Sequence, residues 1–134
     1  MPSPAERRKL LAAARAVRAR AHAPYSRFRV GAAVLDERGR IHAGCNVENA
    51  SYGLTVCAER NAIAAAVAAG ARRIRAVAVV SSDAVTPCGA CRQVIAELAS
   101  AATEVLIASP KALVAETTLR ALLPEAFTFS HRSR

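Results

Sequence analysis

The stretch CAERNAIAAAVAAGARRIRAVAVVSSDAVTPCGACRQVIAELASAATEVLIA, Cys57 to Ala108, decides the fold. Cys57 to Ala69 is alanine-rich, contains no proline and stops at Gly70, the residue type favoured just beyond a helix C-terminus, so it reads as a helix. Ala76 to Val80 is continuously apolar and reads as a strand. Cys88 to Ala99, after Pro87, is a second helix, and Glu104 to Ala108 a second short apolar strand. Uniformly apolar strands alternating with helices predict an α/β sheet covered on both faces, with parallel, right-handed crossovers.

Working outward, Leu10, Ala14, Val17 and Ala21 recur at helical spacing with Arg8 and Arg15 opposite them, which predicts an amphipathic surface helix from Ala5 to about Ala21. Val30 to Leu35 is apolar, ends in Asp36, Glu37, Arg38 and Gly39, and can be answered by Ile41 to Val47 as the second arm of a β-hairpin. Downstream, Val114 to Glu116 predicts a last strand before a short helix at Leu119 to Leu123. No repeat or linker interrupts the chain, and 134 residues suit a single domain, 1–134.

The composition, 53% hydrophobic against 22% charged, is that of a chain that folds on its own. No apolar run approaches the roughly 18 residues that would span a bilayer, and the N-terminal residues lack a basic segment followed by an apolar core, so no membrane association and a cytoplasmic location are expected. The net charge of +9, from 19 Lys plus Arg against 10 Asp plus Glu, raises the question of nucleic acid. The basic residues, however, decorate the first helix (Arg7, Arg8, Lys9, Arg15, Arg18, Arg20), one connection (Arg72, Arg73, Arg75) and the C-terminus (Arg132, Arg134), with no aromatic residues interleaved to stack bases. A solvated surface is the reading. Four cysteines without an export signal point to metal binding or catalysis rather than a disulfide framework.

Cys88 and Cys91 lie three apart at a predicted helix start, on one face, so both sulfurs can reach one ion. Alone, such a pair is equally a redox couple, half of a structural zinc site, or two buried thiols. A redox pair expects a thioredoxin-like context, and a zinc ribbon a second pair. Present instead is Cys57, also at a helix start, with Glu59 two residues on. Three protein ligands leave tetrahedral zinc an open position for water, and two helix N-termini favour thiolate over thiol. Arg60 either donates to the ligand sulfurs or is a surface arginine. Glu59 shares a helical stripe with Ile63 and Ala66 and either faces the interior or simply favours the helix dipole. An ideal helix turns 200° between positions 57 and 59, so the two address one centre only if Cys57 sits in the first turn or at the cap. Cys45, in the predicted second strand, reads as a packed thiol. His22, His42 and His131 have no partners at ligand spacing.

Together, CAER (Cys57 to Arg60) and PCGACRQ (Pro87 to Gln93) resemble the signature of the zinc nucleoside and nucleobase deaminases: a His or Cys, then Glu two residues on, then P-C-x-x-C. PYSRFRVGAAVL (Pro24 to Leu35) and GCNVENASYG (Gly44 to Gly53) narrow the resemblance to the small cytidine deaminases, and it runs from about Ala21 to Phe127.

That resemblance implies a three-layer α/β/α sandwich around a mixed five-stranded sheet, assembled as a homotetramer with active sites shared between subunits. It implies one Zn²⁺ per subunit on Cys57, Cys88 and Cys91, with Glu59 as proton shuttle in the hydrolysis of cytidine or 2′-deoxycytidine to the uridine product and ammonia, a reaction of pyrimidine salvage. Asn46 and Glu48 would hold the ribose 3′-hydroxyl and Phe28 would pack on the base. Tyr52 and Ala58 would line the substrate, and Phe127 would reach a neighbour's site. Asn61 after CAER, His22, and the tail after Phe127 depart from the family's usual residues. The competing readings are a deaminase of the blasticidin S type on the same zinc core, and an RNA-binding module with structural zinc.

Overall fold

The computed structural model describes residues 1–129; His131, Arg132 and Arg134 lie outside them. Helix α1 (Pro4–Arg18) starts on a reciprocal cap, the Ser3 hydroxyl accepting the Glu6 N–H and the Glu6 carboxylate accepting the Ser3 N–H. Strands β1 (Val30–Asp36) and β2 (Ile41–Cys45) form the hairpin, followed by a short 3₁₀ turn at Tyr52–Leu54. Then come α2 (Ala58–Ala68), β3 (Ile74–Ser81), α3 (Gly89–Leu98), β4 (Ala99–Ala108), β5 (Leu113–Thr118) and α4 (Leu119–Leu122).

The five strands form one mixed sheet in the order β2-β1-β3-β4-β5. As expected, β1 and β2 pair antiparallel as a hairpin and β3 and β4 pair in parallel; β1 is also antiparallel to β3, and β5 is antiparallel to β4. Because β1 opposes both neighbours, β2, β3 and β4 all run the same way. The segments β2-α2-β3 and β3-α3-β4 are thus two crossovers stepping in one direction across the sheet. Crossovers of one hand moving one way put their helices on one face, and α2 and α3 do share a face.

The period of two along the strands sorts the core into two layers. Ala32, Val34, Val77, Val79, Val105 and Ile107 pack beneath α2 and α3, with Ala62, Ile63, Ala66 and Ile95 above them. Ala33, Leu35, Ala76, Ala78, Val80 and Leu106 face the opposite way, under Leu10 and Ala14 of α1. Three layers result.

Several boundaries differ from the sequence reading. The first helix ends at Arg18, and Ala21 is buried in the connection beyond it. Strand β2 stops at Cys45 because the Asn46 side chain turns back to bind β1, leaving Val47 in isolated bridges. Strand β4 starts directly after α3, through a largely exposed stretch of small residues, Ala99 to Thr103, with no strand-like apolar pattern: Thr103 Oγ1 takes the Ser100 N–H and donates to the Ile74 carbonyl.

At the end of the hairpin distant from the β1 start, Asp36 is fully buried and accepts from the N–H groups of Arg38 and Arg40, Arg40 Nε and His42. Burial alone would push its carboxyl up; these partners, His42 first, outweigh that and hold it well below the usual carboxylate range.

Gly44 sets how closely α2 approaches the sheet. A Cβ there would lie 2.3 Å from the Ala62 nitrogen and 2.9 Å from the Ala58 carbonyl oxygen, both backbone atoms. Gly44→Ala is expected to cost about 2 to 3 kcal/mol by overpacking, whereas Gly53→Ala, where a Cβ meets nothing within 4 Å, should stay within about 0.5 kcal/mol of wild type; urea unfolding midpoints of the two variants check this.

Candidate metal centre and its surroundings

Cys57 is the N-cap of α2 and Cys88 the N-cap of α3, each with extended backbone (φ −70°, ψ 155° and φ −67°, ψ 168°). Their carbonyls accept the first helical N–H groups, from Asn61 and Arg92. Cys57 at the cap is the condition under which it and Glu59 can address one centre, and it is met. Cys91 sits in the first turn of α3, fully buried, while Cys88 is exposed and Cys57 half-buried.

The three sulfurs all lie within 4.8 Å of one another, Cys88 and Cys91 at 3.5 Å. Tetrahedral zinc with Zn–S bonds of about 2.3 Å would separate its sulfurs by roughly 3.8 Å, so the cluster fits one such ion. Cys45 is half-buried and is no member of it. Its carbonyl instead accepts from Asn61 Nδ2 at 2.8 Å, tying α2 to β2 beside the close approach at Gly44.

The charge of the cluster is prepared by its neighbours. The hydrogen bond from Cys91, then the Arg60 guanidinium and Cys88, outweigh burial and bring the Cys57 thiol down to about 5. Cys91 moves the opposite way, because its proton is held on the Cys57 sulfur. Arg60 Nη2 stands 3.8 Å from Cys57 Sγ and 3.3 Å from the Thr55 carbonyl, and its Nε is buried without a partner. A cation fixed against one sulfur offsets the excess negative charge that three thiolates give a divalent ion. Glu59 is 5% exposed; desolvation pushes its carboxyl up, the Cys57 charge adds to that, and Arg60 opposes it. Burial beside the sulfurs favours the protonated carboxyl more than water would, which suits a group that takes and gives a proton.

The other singled-out residues gather at the same edge of the sheet. Val47 and Val56 exchange both backbone hydrogen bonds, at 2.9 and 3.0 Å, and this antiparallel bridge sets Asn46 opposite Cys57 and Glu48 opposite Thr55. The Asn46 amide accepts the Val30 N–H and donates to the Phe28 carbonyl, both at 2.8 Å. Phe28 and Glu48 are half-buried and Ala58 is fully buried. Tyr52 and Phe127 are 78% and 67% exposed. The Tyr52 ring stands edge-on to Tyr25, and the Phe127 carbonyl accepts from Gln93 on α3.

Two participants had escaped the sequence reading. Arg92 Nε donates to the Pro87 carbonyl at 2.7 Å, Nη1 to Leu122 at 2.8 Å and Nη2 to Thr86 at 3.0 Å, clamping the loop that delivers Cys88. Ser26 hydrogen-bonds Glu48. Arg92 stands within the CRQ run that continues the cysteine pair, which was its only signal. Ser26 stands within the PYSRFRVGAAVL run, but its partner, 22 residues away, left no local pattern.

Much of the basic surface is likewise structural. Arg18, Arg29 and Arg72 cap carbonyls of Arg29, Ala19 and Ala71, Arg75 pairs with Glu6, and Arg7 pairs with Glu104 and Glu116. Among the described residues, no helix is long and apolar enough to cross a membrane.

Residues 4–108 match the family described as the cytidine and deoxycytidylate deaminase zinc-binding region. The chain is 48% identical over 122 residues to a cytidine deaminase of Sporosarcina psychrophila, covering 90% of each. It is 49% identical over 125 residues to one of Halalkalibacterium halodurans, covering 92% of this chain and 95% of the relative. Among solved structures, a cytidine deaminase from Burkholderia pseudomallei superposes with a TM-score of 0.85 at 48% identity, covering 90% of this chain and 98% of that one. One from Mycobacterium tuberculosis gives 0.78 at 43%, covering 91% and 97%.

Metal analysis of the purified protein is expected to find one zinc per chain, retained by Cys45→Ala and lost by Cys91→Ala. Arg60→Ala should weaken zinc affinity by about 10-fold or more, the usual cost of removing an outer partner of a ligand, read by competition with a chromogenic chelator.

Proposed function

The chain belongs to the cytidine and deoxycytidylate deaminase family, and from that premise we propose that it hydrolyses cytidine and 2′-deoxycytidine to uridine and 2′-deoxyuridine with release of ammonia. The reaction would serve pyrimidine salvage in the cytoplasm, with residues 1–134 acting as one deaminase domain. The observation that carries this reading is the meeting of three cysteine sulfurs at two helix starts with the buried carboxyl of Glu59.

Cys57, Cys88 and Cys91 would hold the zinc, which when bound would supply a Lewis acid that lowers the pKa of a water. Glu59 takes a proton from the attacking water at its carboxylate, delivers it to N3 of the cytosine as the oxygen adds to C4, then takes the second proton from the new C4 hydroxyl and passes it to the amine as the C4–N bond breaks. Water and cytidine are consumed, and uridine and ammonia leave. Phe28 packs on the base; Glu48 accepts the proton of the sugar's 3′-hydroxyl and the Asn46 amide donates its second N–H to that oxygen; Tyr52 and Ala58 line the site. A carboxylate at that hydroxyl repels a 3′-phosphate, so a free nucleoside is taken and a polynucleotide is refused.

The proposal includes a homotetramer. Exposed Tyr52, Leu54, Phe127 and Phe129 leave apolar surface that a neighbouring copy would cover, and Phe127 would then reach into a neighbour's site.

An ultraviolet assay of cytidine turnover, with and without a chelator and alongside metal analysis, tests the function. Turnover that follows zinc content is expected; turnover unaffected by complete zinc removal contradicts it. Glu59→Gln should keep its zinc while kcat falls by about 100-fold or more, the scale of lost general acid and base catalysis.

A further inference from the structure

Glu48 is engaged before any ligand arrives. Its Oε1 accepts the N–H groups of Tyr25 at 3.0 Å and Ser26 at 3.2 Å, and its Oε2 accepts the Ser26 hydroxyl. The same Ser26 oxygen accepts the Phe28 N–H at 3.0 Å. A hydroxyl has one proton and two lone pairs, so this one donates to the carboxylate and still accepts from the backbone of the aromatic residue.

The local backbone is bent to make that double contact. Arg27, between Ser26 and Phe28, has φ +60°, a left-handed conformation that a non-glycine residue holds only when its surroundings over-determine it. The surroundings here are Glu48 on one side and the strand-like ties of His22 on the other: His22 N–H to the Asn46 carbonyl at 3.0 Å, and Glu48 N–H to the His22 carbonyl at 2.8 Å. Residues 22–28 and 46–48 thus form one braced unit.

A carboxylate offers about four acceptor positions, and three are filled. What remains is an acceptor for one further donor, held in a fixed direction. The Ser26 hydroxyl, ahead of the two backbone N–H groups, also outweighs burial and keeps the Glu48 carboxyl below its usual range, so it stays an acceptor at neutral pH.

We propose that Ser26 is a positioning residue for nucleoside recognition: its hydroxyl fixes the Glu48 carboxylate toward the sugar's 3′-hydroxyl. This rests on the deaminase reading above, in which Glu48 meets the sugar and Phe28 the base. Ser26 itself touches neither.

The test is steady-state kinetics of the zinc-loaded enzyme on cytidine and 3′-deoxycytidine, for wild type, Ser26→Ala, Ser26→Thr, Glu48→Gln and the Ser26→Ala/Glu48→Gln double variant. With Ser26→Ala, KM for cytidine is expected to rise about tenfold with kcat within about threefold, the pattern of lost ground-state binding. The rise for 3′-deoxycytidine, which lacks the hydroxyl, should be at least about fivefold smaller, and Ser26→Thr should recover most of the loss. On Glu48→Gln, adding Ser26→Ala should change KM for cytidine less than about twofold, because the two act through one contact.

Equal losses on both sugars, an unchanged KM for cytidine, or full additivity in the double variant would overturn the role of Ser26. Zinc content and melting temperature are recorded for each variant. Should Ser26→Ala not fold, Ser26→Cys, whose thiol is a weak donor, takes its place in every comparison. Zinc-loaded wild type that turns over neither nucleoside would overturn the deaminase reading itself, and turnover with equal losses only the assignment of Ser26.

Discussion

Two helices can share one ion only if both begin at the same edge of the sheet. Here that condition is topological. Because β1 lies antiparallel between β2 and β3, the two crossovers leave from strands running the same way, and α2 and α3 start at the same edge. Close packing does the rest: the missing side chain at Gly44 lets the α2 backbone settle on β2, Asn61 ties it there, and Arg92 clamps the loop before α3. Three sulfurs from two elements then converge to within 4.8 Å.

The same edge receives everything else the proposed chemistry uses. The start of β1 pairs with the end of β3, Val30 opposite Ser81, and Asn46 binds that start on both sides, at Phe28 and Val30. The Val47–Val56 bridge carries the segment onward to Cys57. Substrate loop and metal cluster are therefore held by one continuous set of backbone contacts, and a shift in one moves the other. The far edge, by contrast, is closed by Asp36 and its partners, which fix the hairpin turn and, through Arg40 on the Ala69 carbonyl, the end of α2. A buried carboxylate there steadies the frame; Glu59, also buried, has its pKa raised by desolvation and then by the Cys57 charge. Two carboxyl groups in one chain are pushed opposite ways by what surrounds them.

The two-helix core was legible because alanine-rich and valine-rich runs alternate with clear stops, and helix geometry required Cys57 in the first turn or at the cap once it and Glu59 were to meet. The antiparallel hairpin and the parallel crossovers were legible too, but strand order was not: uniform apolarity reports that both faces are covered and does not say that β1 lies between β2 and β3. The early start of β4 was hidden because Ser100 and Thr103 are held there by hydrogen bonds and not by burial of apolar side chains. Arg92 and Ser26 escaped for a related reason. Each acts on backbone or on a distant side chain, contacts that no periodicity records. The excess of arginine was read as a solvated surface, and at Arg7, Arg18, Arg29, Arg40, Arg72, Arg75 and Arg92 it is engaged with internal carbonyls and carboxylates.

The central claim is a three-sulfur site with one position left open, and X-ray absorption at the zinc edge of the loaded protein tests it most directly. The account predicts three sulfur scatterers at about 2.3 Å and one lighter oxygen or nitrogen scatterer at about 2.0 Å. Four sulfurs, with Cys45 drawn in to close the site, would make the zinc structural and contradict the account.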